Sequence, residues 1–159
     1  MALHKLLIDD FYEDNYILIA IHCRLEDYRM AYFVNKNLGI NLSRRSKDLD
    51  LNYTASSYAL FDWFDETNDE FWHLVANICK KEEESLSSSG VLFNDDRKIT
   101  KTYNLLPELN QVDFFLKISN DRFQVNDKLI INKLQQIPQI ITCYKVEVNN
   151  IKSKAHLIF

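Results

Sequence analysis

Glycine and proline are scarce in this 159-residue chain, with two of each. Loops that cradle phosphates need glycine where the backbone approaches a ligand or takes a positive φ. Gly39 and Gly90 stand alone, with no GxGxxG and no GxxxxGK[ST] around them. That shortage argues against a Rossmann or P-loop nucleotide site. Basic charge is also short: 19 Lys and Arg against 23 Asp and Glu leave a formal net charge of −4. A duplex-binding surface normally neutralises phosphates with an excess of cations, so nucleic acid is a disfavoured partner. Cysteine is sparse too: Cys23, Cys79 and Cys143 are odd in number, widely spaced and set near the ends of apolar runs. They read as reduced thiols and not as a disulfide framework. No run approaches the length a membrane helix needs, and MALHKLLIDDFYED lacks the shape of a signal peptide. The expectation is a soluble, cytoplasmic protein with no membrane partner.

What the chain does contain is core-forming material. It is 47% hydrophobic and 26% charged, with ten Phe, eight Tyr and two Trp. A chain of this length folding as one domain over 1–159 buries roughly 70% of its unfolded surface. The pattern predicts a first strand at 4–9, a turn at 9–15, and a central strand YILIAIHC (16–23) with apolar residues on both faces. A helix follows over 25–38, with Leu25, Tyr28, Ala31, Tyr32 and Leu38 on one stripe and Gly39 at its C′ position, backed by Ile40. Residues 40–55 read as a loop. SSYALFDWFD (56–65) and EFWHLVANIC (70–79) read as two strands of a hairpin. A mobile, serine-rich loop is expected at 80–90 and a short edge strand at 90–93, followed by a solvated stretch, NDDRKITK. VDFFLKIS (112–119) is strand-like, with Val112, Phe114, Leu116 and Ile118 on one face. Asn126 and Asp127 cap a second helix that Pro138 ends. QIITCYKVEV (139–148) returns as a strand, with Ile140, Thr142, Tyr144, Val146 and Val148 facing the core.

Two β–α units feeding one sheet predict an α+β, two-layer sandwich: a largely antiparallel or mixed sheet with both helices on one face. A ferredoxin-like βαββαβ core with extra edge strands is the favoured topology.

Four constellations invite a chemical reading. Glu108 and Asp113 are spaced so that a folded-back turn would make them a carboxylate pair for acid–base work. The structural alternative has Pro107 and Glu108 opening a helical turn, with Asp113 capping a turn or pairing with Lys117. Zinc needs three or four ligands with some closely spaced, yet only His22 and Cys23 are adjacent, and strand neighbours point to opposite faces. No metal and no cofactor is therefore expected, and a Cys23 or Cys143 nucleophile has no local support. Arg44, Arg45 and Lys47 form a cationic cluster able to hold an anion, although Asp48 and Asp50 follow directly. The hairpin LFDWFDETNDEFWHL alternates aromatics with acids. That suits core packing or a protein–protein patch better than a base-stacking platform.

LPELNQVDF (106–114) resembles the signature of the bacterial IPExxxVDY family. Pro107, Glu108, Val112 and Asp113 match, Leu106 stands for Ile and Phe114 for Tyr. EDYRMAYFVNKNLGINL (26–42) is similar to the first helix and following turn of that family. The resemblance implies a small cytoplasmic protein and brings no activity, cofactor or catalytic residue with it. The functional expectation is a non-catalytic binding or adaptor module acting through protein–protein contacts, with a partner protein or a second copy. The alternatives are a small-ligand site or enzyme using Glu108 and Asp113, and an RNA-associated factor using Arg44, Arg45 and Lys47.

Overall fold

The computed structural model describes residues 16–84, 98–120 and 125–159. The expectations for 4–9, 9–15 and 90–93 fall outside the described residues. In chain order the elements are β1 (Tyr16–Cys23), α1 (Asp27–Leu38), β2 (Ser43–Arg44), β3 (Leu49–Leu51), β4 (Ser56–Tyr58), β5 (Leu60–Asp65), β6 (Glu70–Ala76), β7 (Ile78–Glu84), β8 (Lys98–Asn104), β9 (Phe114–Asn120), α2 (Asp127–Gln135) and β10 (Ile140–Lys145).

Six strands form one sheet in the order β10-β1-β9-β6-β5-β2, and every neighbouring pair is antiparallel. Four of these strands, β1, β6, β9 and β10, make a βαββαβ arrangement with α1 and α2. The fourth core strand lies beside the first, and the third lies between the first and second. That is the ferredoxin-like order, extended on one edge by β5 and β2.

Alternation along the central strands gives the sheet two apolar faces, as a doubly covered strand requires. Ile19, Ile21, Leu74, Leu116 and Ile118 meet Met30, Ala31 and Val34 of α1 and Ile130 and Leu134 of α2. Both helices therefore lie on this face. Leu18, Ala20, Val75 and Phe115 point the other way, under Tyr58, Leu105, Leu106, Val112, Val146, Ile151 and Leu157. Irregular segments and the β3–β4 ribbon, in place of helices, cover that second face.

The helix α1 ends as its sequence dictates. Gly39 takes φ +69°, and the N–H groups of Gly39 and Ile40 both donate to the Asn35 carbonyl, at 2.9 and 3.3 Å. The Asn35 side chain then clamps Leu42 through both its N–H (2.7 Å) and its C=O (3.0 Å).

Five local expectations are corrected. The buried stripe of α1 is Met30, Ala31 and Val34, whereas Tyr28 and Tyr32 are 61% and 59% exposed. The stretch 40–55 carries β2 and β3 in addition to loop. Each hairpin arm breaks into two strands, at Ala59 and at Asn77; β4 pairs with β3 and β7 with β8, while β5 and β6 stay in the main sheet. Residues 80–84 of the expected loop continue β7, and 98–101 of NDDRKITK begin β8; 85–90 lie outside the described residues. In β10 the core-facing residues are Ile140 and Cys143, with Thr142 and Tyr144 exposed. A register shift between His22 and Cys23 of β1 displaces the alternation there.

Candidate functional site

The stretch 105–114 is organised around Asn77, which sits fully buried at the break between β6 and β7. Its side-chain amide donates to the carbonyls of Leu109 (2.9 Å) and Val112 (2.8 Å), and its side-chain oxygen accepts from the Leu106 N–H (2.9 Å). Its backbone bonds Leu105 and Asp113 as well. The Pro107–Leu109 turn is a short 3-10 helix with proline at its start, so the missing proline N–H leaves no intrahelical bond unmade. Beyond it, Val112 packs on the sheet face away from the helices, opposite to the face of Phe114, Leu116 and Ile118. The expectation that Val112 shares a face with these three is thus corrected, because strand β9 begins only at Phe114.

Glu108 and Asp113 serve different partners. The Glu108 carboxylate accepts from the Ser153 backbone N–H (2.8 Å) and hydroxyl (3.0 Å), tying the turn to the segment after β10. Burial pushes its carboxyl up, but the hydrogen bonds from its own backbone, Ser153 and Lys152 outweigh that and hold it below the ordinary range. Asp113 accepts from the Cys23 backbone N–H at 2.9 Å, capping the end of β1 beside the register shift. It does not pair with Lys117, which is buried and donates to the Leu157 carbonyl at 2.6 Å.

The Cys23 and Cys143 thiols are quiet. Burial pushes Cys143 up to about 11 and raises Cys23, whose Leu25 backbone hydrogen bond opposes the shift and whose Asp113 neighbour adds to it. A protonated thiol is a poor nucleophile and a poor metal ligand. His22 and Cys23 point to opposite faces: His22 stacks on Tyr144, with ring centroids 5.6 Å apart, and the Cys23 sulfur lies 3.8 Å from that of Met30. Among the described residues no three His, Cys, Asp or Glu side chains group as metal ligands.

In the cationic cluster, Arg44 pairs with Asp27 and Asp48 and lies over the Phe61 ring, and Arg45 pairs with Asp62. Lys47 lines a cleft of about 330 Å³ together with Arg45, Asp48 and Asp50. Both arginines are therefore neutralised locally.

A second cleft, of about 380 Å³, lies where the C-terminus of α1 and the N-terminus of α2 approach the tip of the β5–β6 hairpin. Trp63 and Trp72, cross-strand neighbours with ring centroids 6.4 Å apart, form its wall with Leu38, Ile40, Leu129 and Ile130. Asp65, Glu70 and Lys133 supply its charges. The Trp72 indole N–H donates to Glu70 at 3.0 Å, which fixes this buried ring, so that half-buried Trp63 and half-exposed Leu129 supply the accessible apolar surface. Asp65 accepts from the Asn68 side chain and the Thr67 backbone, and the Asn68 bond in particular holds its carboxyl below the usual range. Leu129, half exposed on α2, faces this cleft.

Reasoning from the sequence missed Asn77, His73 and Lys117, the polar side chains that the fold buries alongside Ser56. For Lys117 the signal was present, since it alternates with Phe115 on a face that had to be covered. For Asn77 nothing marked the position, since EFWHLVANIC reads as one unbroken strand. No helix among the described residues is long and apolar enough to cross a membrane. No family model, curated protein or solved structure matches the chain.

Proposed function

We propose that the chain is a non-catalytic binding module that acts through protein–protein contacts, with the tryptophan-lined cleft as its contact site. The observation that carries this reading is the cleft itself: the half-buried Trp63 indole packed across the strands on buried Trp72, an exposed leucine and two rim carboxylates, in a volume that admits side chains of a partner. Aromatic anchors in a shallow pocket ringed by polar groups are where interface energy concentrates. The rim carries Asp65 and Glu70 against Lys133, so the fitting partner segment has an apolar anchor flanked by a basic residue. Glu108 and Asp113 are each committed to a structural hydrogen bond, which favours the binding reading over a carboxylate site. The proposal extends to a reducing, cytoplasmic setting, supported by three unpaired cysteines. It also extends to membership of the IPExxxVDY family, supported by the LPELNQVDF motif and by the similarity of EDYRMAYFVNKNLGINL (26–42).

The test is recovery of a partner by crosslinking and affinity purification with wild type, Leu129→Glu and, as a control, Tyr53→Ser. The expected result is a partner retained by wild type and Tyr53→Ser and reduced at least about tenfold by Leu129→Glu, a loss of the size hot-spot residues show. Absence of any reproducible partner, or indifference to Leu129→Glu, rejects the reading.

A further inference from the structure

On the sheet face away from the helices, Asp62 of β5, His73 of β6 and Lys117 of β9 lie directly opposite one another across the strands. His73 and Lys117 are 6% and 8% exposed. The segment that follows β10 covers them. Leu157 accepts a hydrogen bond from the Lys117 ammonium, and the Phe159 ring stands edge-on to the His73 imidazole with centroids 5.3 Å apart. The ammonium lies 4.7 Å from the Phe159 ring centre and 4.7 Å from that of Tyr16, so aromatic faces partly replace its water. His73 Nδ1 is buried with no hydrogen-bond partner among the described residues. An unpaired buried nitrogen costs stability, and its presence asks for a reason.

We propose that His73 is an acid-sensitive latch for the segment 151–159. A proton on the imidazole sets a second cation against Lys117 beneath Phe159, and the segment lifts so that both cations reach water. The groups facing His73 decide the direction. Lys117 on β9 and Arg45 beyond β2 oppose its protonation, Asp62 on β5 favours it but is already paired with Arg45, and the Tyr16 and Phe159 rings carry no charge at neutral pH. Burial, then Lys117, pushes the imidazole down from 6.5 to about 4 in the closed form. An exposed imidazole keeps its ordinary value, so the open form binds the proton more readily. The closed form therefore holds fully above that ordinary value, and as pH falls from there toward 4 it loses up to about tenfold in equilibrium constant per pH unit. The segment has other ties, Glu108 to Ser153 and the His156 imidazole to the Leu105 carbonyl and Tyr53 hydroxyl, and the test separates Glu108 from the latch.

Nuclear magnetic resonance of the full chain from pH 7.5 to 4.5 would follow the His73 imidazole, the Leu157 methyl groups and the Trp72 indole N–H together. The expected result is that the Leu157 signals move toward open-chain positions as His73 titrates, while Trp72, on the other sheet face, stays folded. His73→Phe, which keeps a ring against Phe159, remains closed over the same range, and Glu108→Gln still opens. If His73→Phe does not fold, His73→Gln replaces it. Opening of the His73 variant at the wild-type pH overturns the latch. So does His73 titration without movement of Leu157, or concerted loss of Leu157 and Trp72 signals in wild type.

Discussion

Asn77 spends both side-chain N–H donors and its side-chain oxygen on the 105–113 stretch, and each partner is backbone. Replacing it with alanine strands the Leu106 N–H and the Val112 carbonyl in a buried setting, while the Leu109 carbonyl keeps the Val112 N–H. Each orphaned group costs roughly 1–3 kcal/mol, so Asn77→Ala is expected to lose about 2 kcal/mol or more in urea denaturation. Asp113→Asn retains an acceptor for the Cys23 N–H and is expected to cost well under the ~1–2 kcal/mol of Asp113→Ala. Equal losses from the two substitutions would count against a capping role. Those magnitudes explain why the motif was legible only in part. Pro107 announces its turn through its own covalent geometry, and Asp113 announces a polar need inside an apolar run. Asn77 lies 29 residues or more from every partner its side chain holds, so nothing local distinguishes it from a surface asparagine.

Elements were legible where one local rule dominated and lost where two competed. The end of α1 follows from a single glycine, whereas its buried face did not. Tyr28–Ala31–Tyr32 and Met30–Ala31–Val34 both satisfy helical spacing and share Ala31. The tie is broken by the phenol: Tyr28 donates its hydroxyl to Glu26 at the surface, and Met30 fills the core with no polar atom to place. Met30→Ala is accordingly expected to cost about 2–5 kcal/mol, and Tyr28→Lys or Tyr32→Lys to stay within about 0.5 kcal/mol, on the same denaturation assay. Equal effects at Met30 and Tyr32 would contradict this assignment of faces. In β10 the alternation failed for a different reason. A one-residue slip opposite Cys23 moves later residues to the other face, and such slips leave no mark in composition. The breaks at Ala59 and Asn77 were equally hidden, because they arise only when β3 and β8 draw β4 and β7 out of the main sheet.

At the scale of the whole molecule, the sheet order followed from chain connectivity, while the charges buried beneath its second face shape how stability depends on pH. His73 has a depressed folded value, so its contribution is present above about 6.5 and is lost as pH falls toward 4. Glu108 and Asp127, the latter held down first by its bond to Lys145, are carboxyls with lowered folded values. Their contributions are present above the ordinary carboxylate range and lost below it. Cys143 works in the opposite sense: its folded value rises from 9.0 to about 11, so its contribution is complete below 9.0 and disappears as pH climbs through that window. Cys23 shifts in the same direction. Stability should therefore form a plateau between about 6.5 and 9, with each single group setting a slope of at most about 1.4 kcal/mol per pH unit outside it. Urea midpoints measured across pH 4.5–10 would trace that plateau. His73→Phe is expected to flatten the shoulder between 6.5 and 4.5 and leave the alkaline limb unchanged; Cys143→Val, which removes the thiol and keeps an apolar side chain, should soften the alkaline limb alone. A shoulder that persists in His73→Phe would assign the mid-range loss to groups other than the buried histidine.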